Sequence, residues 1–432
     1  MKTKLLYVFF IATQFCLAQN ITFLDPVFKD YLLIAKINFN TDASNYINYP
    51  PIDANADGEI SYAEALTVEG LDFGYANITN LEGLQYFTNV KAISTYYADF
   101  PVFYQPTLVN LEHLSLLNAV GNSPLTTVNV APNLNLKKLQ CYGDLITTLN
   151  LSANIQLREV VIYCPSLTSF NIDNLVNLKS LSYLGQLPTI DLSDAVNLLN
   201  LSCIGTTVYN AYPNQNLLTT LDLSNQSKLI SLDLTGNNIA NLDLSNCPNL
   251  ETLNIAHNDM VTLNISNVAY VKQFFCEGNL FTSLDVSEMF NLSYFNCQNN
   301  QLTSLAVNND IIEEYINFSG NPSLASVCCD ANEVVYIQNL CNQYDYTATV
   351  VNGNCSNSAN RIAMYPNPVK DTLHLSTNLN INRVEVFSSN GVLVMSSDSV
   401  SDAIEMNTLN SGLYFIKVYS NQEVNTMKFV KI

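Results

Sequence analysis

Leu229, Leu250, Val271 and Leu292 recur every 21 residues, and so do Asn237, Asn258, Asn279, Asn300 and Asn321. Leu242, Leu263, Leu284 and Leu305 keep the same period, each two residues ahead of a second apolar position at Leu244, Ile265, Val286 or Val307. A chain with a fixed period of this length has few ways to fold. One repeat is too short to bury its own apolar side, so successive repeats must stack as coils of a solenoid and share a core. Such a scaffold implies a binding function and leaves the ligand unnamed.

The first apolar position of each repeat falls at Val68, Val90, Leu111, Leu136, Leu157, Leu178 and Leu198, then at the four regular starts, and last at a degenerate start, Glu313. The step from Leu198 to Leu229 is 31 residues, so about ten residues around 207–215 must bulge out as a loop. The pattern L-x-x-L-x-L-x-x-N-x-L-x-x-L-x-L resembles the leucine-rich repeat family over residues 68–327. The resemblance implies a mostly β solenoid in which the first apolar trio is a short parallel strand. The second trio is too short for a useful helix and is expected to be extended or 3₁₀. The recurrent asparagine is expected to turn the chain and bond backbone groups of the next coil.

Side chains alternate across a strand, so the sixth position after each start faces outward, on the concave surface that the family presents. In the first half this column reads Tyr96, Leu117, Tyr142, Tyr163, Leu184 and Ile204; in the second it reads Thr235, Ala256, Glu277, Gln298 and Ser319. An exposed apolar and aromatic column marks a binding surface, and tyrosines suit both protein and glycan partners. The first six residues are the candidate ligand-binding set. A smaller cluster, Phe275, Tyr294 and Tyr315, lies toward the C-terminal end.

Ahead of the repeats, Asp25-Pro26 and the spacing of Phe28, Tyr31, Leu32 and Ala35 predict a helix over 25–37, and residues 19–67 form an N-terminal cap. Within it Asp53, Asn55, Asp57, Gly58, Glu59, Ser61 and Glu64 match every position of an EF-hand calcium loop over 53–64. Oxygen side chains stand at loop positions 1, 3, 5, 9 and 12, a backbone carbonyl is supplied at Glu59, and glycine permits the sharp turn. One structural calcium ion is the expected cofactor.

The first 18 residues have a basic start, a short apolar run and a small-x-small end, which together read as a secretory signal peptide. The remaining cysteines therefore reach an oxidising compartment. Cys141, Cys203, Cys276 and Cys297 occupy the inward fifth strand position and are expected to pack as small hydrophobes. Cys328, Cys329, Cys341 and Cys355 cluster in a cap over 328–355, with a helix at 332–342 and a strand at 346–351; they are candidates for one or two disulfides. A polar linker, 356–361, follows.

Over residues 362–432 the tract Tyr365-Pro-Asn-Pro-Val-Lys-Asp371, a turn at Asn390-Gly391 and Leu409-x-x-Gly412-Leu-Tyr-Phe-Ile-Lys-Val418 alternate strand and turn signals. This is the pattern of a small antiparallel β-sandwich. The tract resembles the type A C-terminal sorting domain of the type IX secretion system. The resemblance implies recognition by that machinery, passage across the outer membrane, removal of the domain near the linker, and a product at the cell surface or released.

Charge narrows the partners. With 37 acids against 17 bases the chain carries −20, which argues against nucleic acid and anionic membranes. Nothing after the signal is apolar for long enough to span a bilayer. The histidines, His113, His257 and His374, belong to different parts of the chain, and no HExxH, G-x-S-x-G or Walker motif is present, so no catalysis is expected. Two readings remain: an adhesin-like binding module, or a structural surface or spacer protein without a single specific ligand.

Overall fold

The computed structural model describes residues 19–35, 51–73, 77–96, 99–117, 124–205, 218–352, 362–377, 380–388, 392–398, 403–420 and 424–432. The expected signal peptide, the 207–215 insertion, the linker, Cys355 and the Asn390-Gly391 turn lie outside them. The chain divides into two compact units, Met1–Leu242 with His257–Asp259, and Asp243–Ala256 with Met260–Ile432.

The first unit opens with a helix at Pro26–Ile34, shorter at its C-terminal end than the sequence predicts. Asp25 caps it, Oδ1 accepting from the N–H groups of Val27 (2.8 Å) and Phe28 (3.4 Å). Its other oxygen accepts from the Thr79 N–H at 2.6 Å, the Thr79 hydroxyl at 2.9 Å and the Asn80 N–H at 3.2 Å. Burial alone would raise this carboxyl's pKa; the bonds from Thr79, Val27 and Asn80 outweigh it and hold the group below its usual value. One side chain thus ties the helix to the first coil. Phe28 and Leu32 are wholly buried beneath it, Phe28 edge-on to Phe73 at 5.2 Å.

Parallel strands then follow at one per repeat: Gly70–Asp72, Ala92–Tyr96, His113–Leu117, Lys138–Tyr142, Glu159–Tyr163, Ser180–Leu184, Asn200–Ser202 and Ser231–Asp233. Each pairs in parallel with the next. Three to five residues suffice because neighbouring coils satisfy both edges. Alternation sends Leu114 and Leu116, Leu139 and Cys141, and Val160 and Ile162 into the core. In several repeats the second trio is a short extended strand, as in the pairs Val102–Tyr104 with Thr127–Asn129 and Thr148–Asn150 with Ser169–Asn171, and the first coil has a 3₁₀ turn at Leu84–Tyr86.

In the second unit the same scheme gives parallel strands at Thr252–Asn254, Gln273–Phe275, Tyr294–Asn296 and Tyr315–Asn317. A further parallel sheet joins Ser283–Asp285, Ser304–Ala306, Ser326–Cys329 and Thr349–Asn352. The recurrent asparagine is buried here, and its partners explain its recurrence. Asn300 donates from Nδ2 to the carbonyls of Cys276 and Cys297, both at 3.1 Å, and accepts on Oδ1 from the Phe281 N–H at 3.1 Å. Asn279 repeats this with Ile255, Cys276 and Met260, and Asn321 with Cys297, Phe318 and Leu302. The bonds run to the preceding coil and to the residue's own coil, not to the next coil as the sequence suggested.

The cap consists of a helix at Val334–Gln343 and the strand at Thr349–Asn352, which starts later than predicted. Tyr346 falls outside the strand because its hydroxyl is engaged over the end of the core, accepting from the Asn321 N–H at 2.8 Å and donating to the Phe318 carbonyl at 3.2 Å. Phe318, Tyr344 and Tyr346 pack together there. The tail has two antiparallel sheets, one of Ile362–Tyr365, Thr372–Thr377 and Ala403–Glu405, the other of Ile381–Ser388, Leu393–Ser397, Gly412–Ser420 and Val424–Lys431. They enclose one core that includes Val369, Leu375, Val386, Ile416 and Phe429.

Candidate functional site

Register places the predicted column on adjacent strands. Tyr96 pairs with Leu117, Leu117 with Tyr142, Tyr142 with Tyr163, and Tyr163 with Leu184, all at the ends of their strands. At about 4.8 Å per strand the column runs roughly 19 Å. Beside it stands a row of small and polar side chains, Ser94, Ser115, Gln140, Val161 and Ser182, with the Ser115 hydroxyl donating to Gln140 Oε1 at 2.6 Å. A third row holds Ala92, His113, Lys138, Glu159 and Ser180. Lys138 and Glu159 form an ion pair at 2.7 Å, leaving this face with little net charge. The His113 pKa is lowered, first by burial and further by the charges of Lys137 and Lys138 against the pull of Glu112, so the ring is neutral at pH 7.

Tyr96 is the most open of the six, at 38% exposure. Leu117, Tyr142, Tyr163 and Ile204 are half-buried. The rings of Tyr142 and Tyr163 lie 5.6 Å apart at 42°, so they form one tilted platform. Leu184 keeps the register but is 7% exposed. Alternation predicts the side of the sheet, not what covers it, and Leu184 is withdrawn from the contact surface. Ile204 lies two residues beyond its strand, Asn200–Ser202. In the second unit Tyr294 and Tyr315 pair directly, while Phe275 aligns with Asn296, so the smaller cluster is a pair plus a neighbour.

The 53–64 loop is closed by its own side chains. Asp53 accepts from the N–H groups of Asp57 (3.2 Å) and Gly58 (3.0 Å), Asn55 from Asp57 (3.0 Å), and Asp57 from Glu59 (2.9 Å). Gly58 has φ +78°, which explains a glycine there, and a Cβ would meet nothing within 4 Å, so conformation and not space selects it. Ser61 and Glu64 form a capping box for the short helix Tyr62–Ala65. Glu64 accepts from the Ala54 N–H at 2.9 Å and from the Ser61 N–H and hydroxyl, both at 2.8 Å. Burial would raise its pKa, and these bonds win, keeping it an anion. Glu59 pairs with Lys29 at 2.6 Å. Every side chain of the set offers oxygen, which fits a hard cation. Yet among the described residues no three His, Cys, Asp or Glu side chains converge on one point. The carboxylates of Asp53, Asp57 and Glu64 turn to the loop's own N–H groups, and that of Glu59 to Lys29.

Cys141, Cys203, Cys276 and Cys297 are buried thiols on the core side, and Cys164 and Cys247 join them. Cys164 Sγ lies 3.5 Å from the Cys141 carbonyl. Burial pushes the thiol pKa of Cys247 up to about 12 and those of Cys203 and Cys297 higher still, so they are inert at neutral pH. In the cap Cys328 is disulfide-bonded, whereas Cys329 and Cys341 are thiols.

One surface feature escaped the sequence reading. Val109, Leu134, Ile155, Val176 and Val196 stand two residues before successive repeat starts and are 39–57% exposed, forming an aliphatic line in the first unit. The asparagines that follow them keep the spacing: Asn135, Asn177 and Asn197 donate to the carbonyls of Val109, Ile155 and Val176 in the preceding coil, at 2.9, 2.9 and 2.6 Å. Alignment of the repeats would have revealed it; alternation within a strand cannot.

Residues 363–432 match the family described as the secretion system C-terminal sorting domain. No curated protein matches the chain. Among solved structures, the functional domain of InlJ from Listeria monocytogenes, which includes a cysteine ladder, is 18% identical, covers 87% of this chain and 93% of its own, and has a TM-score of 0.49. Internalin C2 of the same organism is 21% identical over 59% of this chain and 92% of its own, at TM-score 0.36. A leucine-rich repeat protein of Leptospira interrogans is 14% identical over 67% and 97%, at TM-score 0.34. These are likenesses of chain path, and the solenoid rests on the strand register above. No helix among the described residues is long and apolar enough to cross a membrane. A leucine-rich-repeat-like β-solenoid that ends in a type IX sorting domain is addressed to the cell surface or the outside.

Proposed function

We propose that this is a non-catalytic binding protein of the cell surface or exterior, and that its partner is a protein held on the outer face between Tyr96 and Tyr163. The observation that supports this is the in-register column with its tilted Tyr142–Tyr163 platform beside a nearly neutral polar row. Rigid aromatic side chains with a polar tip are the residues on which protein interfaces concentrate their affinity. A neutral glycan is the competing occupant, and a glycan array run beside pull-downs with the mature chain separates the two. The double variant Tyr142→Ser/Tyr163→Ser is expected to weaken capture of the identified partner by about tenfold or more and to leave the melting temperature nearly unchanged. Unchanged affinity would clear this face of a role. Capture of glycans alone would move the assignment to sugar binding.

We propose further that the 53–64 loop takes one calcium ion through Asp53, Asn55, Asp57, Ser61 and Glu64 with the Glu59 carbonyl, as a structural element of the N-terminal cap. The ion would add positive charge to a short loop of four acids in which Glu59 is paired with Lys29. Calcium added to the mature protein is expected to give binding heat, with an affinity of roughly 10⁻⁴ to 10⁻³ M, and to raise the melting temperature. The variant Asp57→Ala should lose both effects. Titration without heat or thermal shift refutes the assignment.

A further inference from the structure

Glu313 stands in the register position that Leu229, Leu250, Val271 and Leu292 hold in earlier repeats. A carboxyl group therefore enters the core where a leucine side chain belongs, and Glu313 is only 3% exposed. A second glutamate meets it from the cap. Glu333 occupies the N-cap position of the helix Val334–Gln343 but makes no side-chain capping bond, and it is 1% exposed.

The donors around them are too few. Asn309, itself buried, donates from Nδ2 to one oxygen of Glu313 at 3.0 Å. The other Glu313 oxygen and both oxygens of Glu333 are buried without a well-formed hydrogen bond, with only partial support from the backbone N–H groups of Glu313 and Asp330. The two carboxyls lie within hydrogen-bonding reach of each other, a contact that two ionised carboxylates cannot use and that one proton converts into a bond. The surrounding titratable groups offer no compensation. Asp330 acts on both glutamates, Asp310 acts on Asp330 and donates its N–H to it at 2.8 Å, and the thiols of Cys329 and Cys341 stand close by. All are acids or thiols, and Asp330 too is held above its usual pKa by burial.

We propose that Glu313 and Glu333 share one proton across the joint between the last repeat and its cap, so that the cap is held most firmly in acidic surroundings and loosens as the pH rises. Burial raises both groups, and for Glu333 burial, then the neighbouring Glu313, lift it to about 8. An unfolded glutamate releases its proton near pH 4.3. From there to the folded value the unfolded chain has lost a proton that the folded chain keeps, so stability falls with rising pH. Above the folded value it falls no further. The joint is thus a pH-sensitive latch built from one leucine-to-glutamate departure and one helix-cap residue that turns inward.

The test is hydrogen exchange of the cap-helix amides in the mature protein at pH 5.5 and pH 8.5, expressed as protection relative to intrinsic rates. The native chain is expected to lose about tenfold or more of its protection between the two. Glu333→Gln, which imitates the protonated group, should change less than about twofold over the same interval and exceed the native protein at pH 8.5. Glu313→Gln serves as a second variant of unchanged size. Equal protection of the native cap at both pH values would overturn the proposal, as would a full pH response that survives in both variants. So would millimolar calcium restoring native protection at pH 8.5, since a cation and not a proton would then be the missing partner.

Discussion

Removing residues 362–432 is expected to leave the protein in the periplasm, with none detected at the cell surface or in the medium. The tail's core is built from its own strands, with Val369, Leu373, Val384, Ile404, Ile416 and Phe429 packed among themselves. Its loss should therefore change the address without unfolding the repeats, and the truncated protein should keep its resistance to protease. A second variant asks whether the machinery reads the folded tail or only its linear motifs. Phe429 is fully buried and stacks on Tyr414 at 5.5 Å, so Phe429→Ala should cost the tail about 3–5 kcal/mol. Retention of that otherwise complete chain would show that the folded sandwich is the signal. Normal delivery of the truncated protein would end the assignment of residues 362–432 as its sorting domain.

The parts of this architecture that were legible in sequence are those that every coil must solve in the same way. The leucine register recurs because each coil buries the same side, and period-two alternation placed Cys141, Cys276 and Cys297 inward correctly. The same alternation aligned Tyr96, Leu117, Tyr142 and Tyr163 but could not show that Leu184 is covered, because cover comes from outside the strand. In the 53–64 loop one spacing encodes two structures. Ser61-x-x-Glu64 is the end of an EF-hand-type loop pattern and also forms the capping box of the short helix Tyr62–Ala65. Glu313 was visible as a break in the register. Its partner Glu333 was not, since it lies in the cap, where no repeat predicts what faces it.

The asparagine ladder yields the sharpest stability prediction, because one residue type does similar bonding in two environments. Asn300→Ala removes the amide that joins the carbonyls of Cys276 and Cys297 and the oxygen that accepts the Phe281 N–H, at a site 5% exposed. Water cannot replace those partners, and each buried backbone group left unpaired costs about 1–3 kcal/mol, so a loss of about 3 kcal/mol or more is expected. Asn135→Ala also deletes a bond to the preceding coil, the 2.9 Å contact with the Val109 carbonyl, but at an exposed position where water can substitute. Its expected cost is about 0.5 kcal/mol or less. Coils are stabilised mainly by their neighbours, so the damage at Asn300 should also be local. Chemical denaturation of Asn300→Ala is expected to split, the coils next to the lesion unfolding at lower denaturant than the rest. Asn300→Asp keeps the acceptor for Phe281 but sets a charge against two carbonyls, and should be no better tolerated than alanine. Equal costs for Asn300→Ala and Asn135→Ala would mean that leucine packing alone holds the register, and that the recurrent asparagine only marks a turn.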